Sequence, residues 1–345
     1  MTDRLQHLQE ALEEPLLVTD QINVKYLTGF NSDNIALLVE PARVRLFTDF
    51  RYVEGARATV DVEVVQTKRY VYADVAPILS GRVGFEAAVV SYANWEVLRS
   101  GGADLVPRAG TVEALRAVKD EGELDAMRGA AEISDEAYER LSHERFIGRT
   151  EKELAWLMEV LLHESGGERT SFDVAVGSGP NAAHPHADPT GREVGAGELV
   201  IVDCGTRVRG YASDCTRTFA TGSLPAELKQ AYAVCLEAQE AALQGVRAGA
   251  SGAEVDAIAR ERIDTSPLKG LFGHGLGHGV GLRIHEAPNL RPESQDVLEP
   301  GNVVTVEPGI YMPGKGGIRI EDLVVVTEGD PEVLTHFSKD LISVE

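Results

Sequence analysis

The chain has 345 residues, which is more than one hydrophobic core usually accommodates, so two domains are predicted. A formal net charge of −22, from 55 acidic and 33 basic side chains, disfavours nucleic acid and anionic membrane surfaces as partners. No stretch approaches about 18 consecutive apolar residues, which argues against a membrane span. Three cysteines in a chain of this length argue against a disulfide framework and predict a cytoplasmic location.

Residues 1–112 are predicted to form a small α/β domain. Short β-type runs alternate with turns in LLVTD, NIALLVE, VRLFTDF, VEVVQ, VGFE and ADLVPR, and residues 92–98 have a helical pattern. The region contains one histidine, His7, and no glycine-rich phosphate loop. We therefore expect no catalytic chemistry from the first domain alone.

The second domain is predicted to cover residues 113–345, beginning where a long helical pattern starts at TVEALRAVKDEGELDAMRG. Asp120 followed by Glu123 is typical of a capping box, in which side chains at the start of a helix bind its free backbone amides. A new helix is therefore expected to begin after Asp120.

A weak internal repeat is visible in the sequence of the second domain. Capping boxes that begin at Thr150 and Ser251 each follow another helical stretch, and each is followed at a similar distance by a carboxylate, Asp203 or Glu307. The order helix, helix, strands and carboxylate hairpin then occurs twice. This pattern indicates either a pseudo-twofold structural repeat or a coincidence between two ordinary helix pairs.

The first predicted hairpin carries two aspartates. Asp203 and Asp214 lie symmetrically about a turn between Gly205 and Gly210, and cross-strand partners point to the same face of a hairpin. Two carboxylates this close repel each other unless a cation or a proton intervenes. Solvated aspartates on an exposed hairpin would explain the pair equally well.

The same pattern recurs near the end of the chain. Glu307 and Glu321 lie symmetrically about the turn PGKGG and beside apolar β-branched runs, where an unpaired charge is costly to bury. Between the two hairpins, FGHGLGHGVGLRIHEAP supplies His274, His278 and His285 among glycines that allow close packing. This arrangement favours a buried polar site over two unrelated surface hairpins.

Four carboxylates and one imidazole make a suitable cage for two divalent cations. The four negative charges balance the charge of two such ions. Oxygen-rich ligation favours Mn²⁺, with zinc, cobalt or iron as alternatives. The carboxylates would come from Asp203, Asp214, Glu307 and Glu321, and the imidazole from one of the three histidines between the hairpins.

These residues resemble those of the pita-bread metallopeptidases, the family that contains methionine aminopeptidases, aminopeptidase P, prolidases and creatinase. The stretches that carry the resemblance are VDCG through Asp214, GHGLGHGVGLRIHE, VEPGIY and GIRIEDLVVV. NVKYLTGF and LFTDFRYVEGA are similar to the additional domain of Xaa-Pro peptidases and creatinase. The resemblance implies a creatinase-like α/β domain followed by an α+β pita-bread catalytic domain with a pseudo-twofold repeat, and it implies a homodimer.

The resemblance also implies roles for the predicted ligands. Asp214 and Glu321 would contact both metal ions. Asp203 would bind one ion and His278 the other. Glu307 would assist the attacking water, whose pKa falls near two cations.

Further residues match positions near the substrate in that family. His186 and His285 would polarise the scissile carbonyl, stabilise the oxyanion or shuttle protons. His274, Tyr311 and Arg319 match substrate-binding or outer-shell positions. The less favoured alternatives are that His274 is only a buried core histidine and that Tyr311 and Arg319 only pack the hairpin.

The first domain favours Xaa-Pro peptidases over methionine aminopeptidases, which generally lack it. A complete ligand set counts against creatinase, which works without metals, and against a non-catalytic binding protein of this fold. We therefore predict metal-dependent hydrolysis of proline-containing peptides, with an Xaa-Pro dipeptidase slightly favoured over an aminopeptidase P. A dipeptidase must bind the free carboxylate of proline, and Arg45 and Arg51 are candidate cations, although either could be a simple surface charge.

Overall fold

A computed structural model describes residues 2–345, which divide into two compact units that separate between Arg116 and Ala117. The predicted boundary near residue 112 lies at the start of helix α6 (Thr111–Ala117), whereas the units separate at the end of this helix. Within the described residues, no helix combines the length and the apolar composition needed to cross a bilayer.

The first unit is built around a six-stranded mixed sheet in the order β4-β3-β2-β1-β5-β6. Each β-type run of the sequence contributes one strand: β1 (Leu16–Val18), β2 (Ile35–Glu40), β3 (Arg43–Asp49), β4 (Glu63–Thr67), β5 (Arg82–Glu86) and β6 (Asp104–Arg108). The β1–β2 and β2–β3 pairs are antiparallel and the others are parallel. The accompanying helices are α1 (Asp3–Ala11), α2 (Gln21–Thr28), α3 (Val53–Thr59), α4 (Val71–Val75), α5 (Tyr92–Ser100) and α6, with a 3-10 turn at Ala76–Ile78.

The second unit contains four long helices: α7 (Glu121–Ser142), α8 (Glu151–Glu164), α9 (Ala226–Leu243) and α10 (Gly252–Asp264). The three predicted capping boxes are confirmed, since Asp120, Thr150 and Ser251 each accept a hydrogen bond from the backbone of the glutamate three residues later. These caps satisfy backbone amides that would otherwise lack partners at the helix start.

The strands of the second unit form two larger sheets and two small hairpins. One sheet has the order β19-β11-β8-β7, and the other has the order β13-β12-β14-β17-β18. The strands are β7 (Ala175–Ser178), β8 (Leu199–Cys204), β9 (Arg207–Val208), β10 (Tyr211–Ala212), β11 (Cys215–Thr221), β12 (Gly277–Gly279), β13 (Glu286–Leu290), β14 (Val303–Val306), β15 (Gly309–Met312), β16 (Gly316–Arg319), β17 (Asp322–Val325), β18 (Glu332–Val333) and β19 (Ser343–Val344).

The internal repeat is visible in the way each helix pair meets its sheet. Helices α7 and α8 pack on the sheet of β8 and β11, and α9 and α10 pack on the strands that include β14 and β17. The cap residue of each second helix also forms a matching antiparallel bridge, Thr150 with Glu193 and Ser251 with Val297. The pseudo-twofold architecture expected from the sequence is therefore present.

Candidate metal centre

The first carboxylate hairpin differs from its predicted register. Its tight turn is centred on Arg209 and Gly210, both of which have positive φ, at 53° and 85°. This is the backbone of a type I′ turn, which suits the right-handed twist of a hairpin. Asp203 consequently pairs with Thr216, and Asp214 lies just before β11. The prediction that the two aspartates are direct cross-strand partners is wrong.

The carboxylates of Asp203 and Asp214 nevertheless lie close together. Asp214 is two residues from Thr216, the partner of Asp203, and such diagonal neighbours lie on the same face of a strand pair. Carboxylate oxygens of Asp203, Asp214 and Glu321 all lie within 4.8 Å of one another. The first hairpin therefore delivers both acids to one place, although its register differs from the prediction.

The second hairpin has the predicted symmetry. Val306 pairs with Asp322 in β14 and β17, and Gly309 pairs with Arg319 in β15 and β16. Glu307 and Glu321 therefore lie opposite each other, directly beyond the paired ends of two buried strands.

Burial and mutual repulsion dominate the electrostatics of the three clustered acids. Burial, followed by the nearby charge of Glu321, raises the pKa of Asp214 well above its ordinary value. Burial and the charge of Glu307 do the same to the pKa of Glu321. Burial also raises the pKa of Asp203, although Arg319 opposes this effect. Such a group fits bound cations, which would keep every carboxylate ionised.

His278 lies beside this cluster with one ring nitrogen facing it. Its Nδ1 donates to the carbonyl of Gly279 at 3.1 Å, so Nε2 carries the free lone pair. Nε2 lies 3.3 Å from Glu307 Oε1 and 3.6 Å from Asp214 Oδ2. An imidazole oriented in this way by a carbonyl is a typical metal ligand.

Two threonine hydroxyls orient the glutamates. Thr216 donates to Glu321 Oε2 at 2.7 Å, and Thr305 donates to Glu307 Oε1 at 3.0 Å. In the first hairpin, Asp203 Oδ1 is buried without a hydrogen-bond partner among the described residues. Buried polar atoms are rarely left unsatisfied, so this oxygen indicates a missing ligand. The residues present therefore fit a divalent metal ion.

Arg319, Tyr311 and His274 form a hydrogen-bonded chain behind Asp203. Arg319 pairs with Asp203 Oδ2 at 2.7 Å and donates to the Tyr311 hydroxyl at 3.1 Å. The Nδ1 of His274 donates to Gly275, so the Tyr311 hydroxyl donates to His274 Nε2, at 2.9 Å. Burial lowers the pKa of His274, which keeps this imidazole neutral. The chain of hydrogen bonds therefore orients one carboxylate of the cluster.

One cavity of about 420 Å³ unites the predicted site residues. Every site residue predicted in the second unit except Tyr311 lines it, and Tyr311 contacts two of these residues through its hydroxyl. The candidate cations Arg45 and Arg51, in the first unit, do not line it. His285 packs edge-on against His278 with ring centroids 4.3 Å apart, and burial lowers the pKa of His285. His186 reaches the same cavity from a separate segment, and its neighbour His184 is exposed.

Sequence reasoning missed several cavity residues, of which Arg291 is the most informative. Arg291 lines the cavity and forms no salt bridge with any described residue. Phe172 and Ile284 give the wall an apolar part. A signal for Arg291 was available, because it is the single Lys or Arg between His285 and Glu307 in the sequence.

Family models match both units of the chain. Residues 125–328 match metallopeptidase family M24, and residues 4–118 match the creatinase/prolidase N-terminal domain. The chain belongs to metallopeptidase family M24. The M24 match spans all five predicted metal ligands, and membership of this family implies divalent metal ions.

Relatives of this M24 chain match nearly its whole length. The Xaa-Pro dipeptidase of Pyrococcus furiosus is 32% identical over 351 residues, which cover 99% of this chain and 100% of the relative. The structure of an Xaa-Pro dipeptidase from Bacillus anthracis is 36% identical with a TM-score of 0.95 and 99% coverage of both chains. An X-Pro aminopeptidase from Thermotoga maritima is 33% identical with a TM-score of 0.90, covering 99% of this chain and 100% of the other. These similarities confirm the predicted family and the two-domain fold.

Proposed function

We propose that this protein hydrolyses Xaa-Pro dipeptides and that Asp203, Asp214, His278, Glu307 and Glu321 hold two divalent cations for this reaction. The observation that supports the proposal most strongly is the convergence of these side chains on one cavity, with a buried Asp203 oxygen that lacks a partner. Relatives named Xaa-Pro dipeptidase, similar over nearly the whole chain, support the substrate class.

The oxygen-rich ligand set favours Mn²⁺, with zinc, cobalt and iron as alternatives. Two such ions would polarise a substrate carbonyl and lower the pKa of an attacking water. Thr305 and Thr216 fix Glu307 and Glu321, so both carboxylates are oriented before substrate binds. The proposed homodimer, implied by the family, is tested by light scattering of the purified protein.

The side chains on the cavity wall account for the remaining steps. Glu307 accepts a proton as water oxygen adds to the scissile carbonyl carbon. His186 and His285 donate hydrogen bonds to the oxygen that becomes negative. The bond to the proline nitrogen then breaks, and that nitrogen takes up the proton that Glu307 accepted, relayed through the same histidines, which returns Glu307 to its ionised form.

Arg291 supports a dipeptidase over an aminopeptidase. A guanidinium binds a carboxylate through two parallel hydrogen bonds, and Arg291 has its charge unmatched on the cavity wall. The other candidate cations are engaged within the first unit, because Arg51 pairs with Asp49 and Arg45 pairs with Glu40. We assign the binding of the proline carboxylate to Arg291.

The test combines substrate preference with metal content. Metal-free protein is reloaded separately with each candidate ion, and turnover is measured on an Xaa-Pro dipeptide, an Xaa-Pro-Xaa tripeptide and an Xaa-Ala dipeptide. We expect two ions per chain and a preference for the Xaa-Pro dipeptide. A preference for the tripeptide would favour an aminopeptidase P, and no cleavage of either proline substrate would refute the proposal.

Variants test the ligand assignment separately. Asp214→Ala is expected to lose metal and activity without rescue by added metal. Asp173→Ala removes another carboxylate from the cavity wall, outside the cluster, and is expected to retain two ions. Full metal content in Asp214→Ala would show that the ligands are misassigned.

A further inference from the structure

His186 lies in the segment 178–190, which begins at the last residue of β7. This segment forms part of the cavity wall. Apart from Ser178 and a 3-10 turn at Gly179–Ala183, this segment has no regular helix or strand. The imidazole of His186 is exposed and makes no hydrogen bond to any described residue. Its position is therefore set by the backbone that carries it, which Arg319 contacts at one point, the carbonyl of Pro185 at 2.9 Å.

One buried carboxylate is hydrogen-bonded to both ends of this segment, in addition to the backbone bonds of Ser178 in β7 and of Thr190 with Lys152. Glu151 is the first residue of α8, and its side chain is fully buried. Its Oε1 accepts from the backbone and the hydroxyl of Ser178 at 2.8 and 2.7 Å. Its Oε2 accepts from the Asn181 amide at 2.8 Å and from the backbone and hydroxyl of Thr190 at 2.9 and 2.6 Å.

Five hydrogen bonds converge on this one side chain, which is ionised at neutral pH. Burial alone would raise the pKa of Glu151, but the hydrogen bonds from Thr190 and Ser178 hold its pKa below the ordinary value. Hydrogen bonds to an ionised acceptor are stronger than hydrogen bonds between neutral groups. A carboxylate can also accept on both of its oxygens, whereas an amide accepts on only one. An amide at this position could not accept all five.

The other half of the repeat has no carboxylate at the equivalent position, directly after the helix cap. There the residue after the helix cap is Gly252, and a Cβ atom at Gly252 would lie 2.0 Å from the carbonyl oxygen of Asn289. The backbone packs directly against the neighbouring strand, and no side chain fits between them. The carboxylate is therefore a feature of the half that carries His186 and is not required by the fold of the repeat.

We propose that Glu151 is a positioning residue that holds His186 at the cavity by fixing both ends of the segment 178–190. The catalytic part of this inference rests on the proposed function, in which His186 contacts the substrate carbonyl. Misplacement of a catalytic group by about 1 Å can lower a rate by about 100-fold, so the loss expected without Glu151 is between about tenfold and 100-fold in kcat. KM and metal content should change little, because Glu151 contacts none of the proposed metal ligands.

A double-mutant cycle separates positioning from a general loss of stability. Glu151→Gln should lower kcat on the Xaa-Pro dipeptide in the otherwise unchanged enzyme, and it should cause no further loss in a His186→Ala background. Thr190→Val removes one of the five hydrogen bonds and should lower kcat less than Glu151→Gln does, again only when His186 is present. It takes the place of Glu151→Gln in the cycle if that variant does not fold. Glu153→Gln is the matched control, since Glu153 lies on the same helix turn and bonds only to Thr150.

Hydrogen–deuterium exchange of residues 179–189 gives a readout that does not depend on activity. Exchange there should accelerate in Glu151→Gln and stay unchanged in Glu153→Gln. Equal loss of kcat in both His186 backgrounds, or unchanged exchange in Glu151→Gln, would overturn the proposal. If the wild type cleaves no proline peptide, the function assigned above fails, and the exchange experiment still decides whether Glu151 holds the segment.

Discussion

Arg291 is the residue whose charge most clearly distinguishes between substrates. It faces the cavity without a salt-bridge partner among the described residues, so a substrate carboxylate would gain a charge-assisted pair. We predict that Arg291→Met lowers kcat/KM for an Xaa-Pro dipeptide by about 10- to 100-fold, which corresponds to about 1.5 to 3 kcal/mol for a hydrogen bond to a charged group. The same dipeptide with an amidated carboxyl terminus should be cleaved almost equally by both enzymes.

Arg247→Met is the control for this charge removal, since Arg247 is exposed and lies outside the cavity. It should leave the ratio of free to amidated substrate unchanged. An equal loss on both substrates in Arg291→Met would mean that Arg291 supports the cavity wall and does not bind the carboxylate.

The sequence predicts those helices and strands whose signals are local. Six apolar runs became the six strands of the first sheet, and three capping boxes began three helices, because both signals depend on near neighbours. The glutamate hairpin was also predictable from its symmetry about PGKGG. The aspartate hairpin was not, because the positive φ of Arg209 is unusual for a residue other than glycine and shifts the turn.

Contacts between distant elements were beyond sequence reasoning. The partners of Glu151 are 27 to 39 residues away, and nothing near Glu151 in the sequence indicates them. The proposed metal ligands could be predicted without that knowledge, since acids beside buried strands are unusual wherever they occur.

A buried ion pair beside the carboxylate cluster joins β11 to β17. Arg217 lies 2.9 Å from Asp322, with side chains 3% and 1% exposed, and also donates to the carbonyls of Glu321 and Phe337. Breaking a buried pair leaves an uncompensated charge, so Arg217→Met should destabilise the second unit by about 3 to 5 kcal/mol. Because Arg217 holds the backbone of Glu321, metal affinity should fall as well. Calorimetric unfolding and metal content measure the two effects.

Lys339 provides a matched comparison, because it pairs with the same Asp322 at 2.7 Å but is 24% exposed. Lys339→Met should cost less than Arg217→Met and should retain the metal. Equal effects of the two substitutions would show that stability and metal affinity depend on neutralising Asp322, and not on the hydrogen bond from Arg217 to the Glu321 carbonyl.

The two units have separate hydrophobic cores, and we expect them to respond to different conditions. The proposed metal ligands all lie in the second unit, so metal binding should stabilise that unit in particular. Each unit also contains one tryptophan, Trp95 in the first and Trp156 in the second. A Trp156→Phe background therefore lets fluorescence report on the first unit alone.

Acid should weaken the first unit through Asp49, and the sign follows from its pKa. Hydrogen bonds from Arg51 hold the pKa of buried Asp49 well below its usual range, so its contribution to stability is present above the unfolded pKa of about 3.9 and is lost as pH falls below it. In the Trp156→Phe background, the urea midpoint reported by Trp95 should therefore fall as the pH is lowered from about 5 to about 2, and it should fall less in Asp49→Asn. Asp33→Asn is the control, because Asp33 meets the same Arg51 from an exposed position and should leave the pH dependence as in the parent. If Asp49→Asn kept the full pH dependence, other carboxyl groups would have to account for the acid sensitivity.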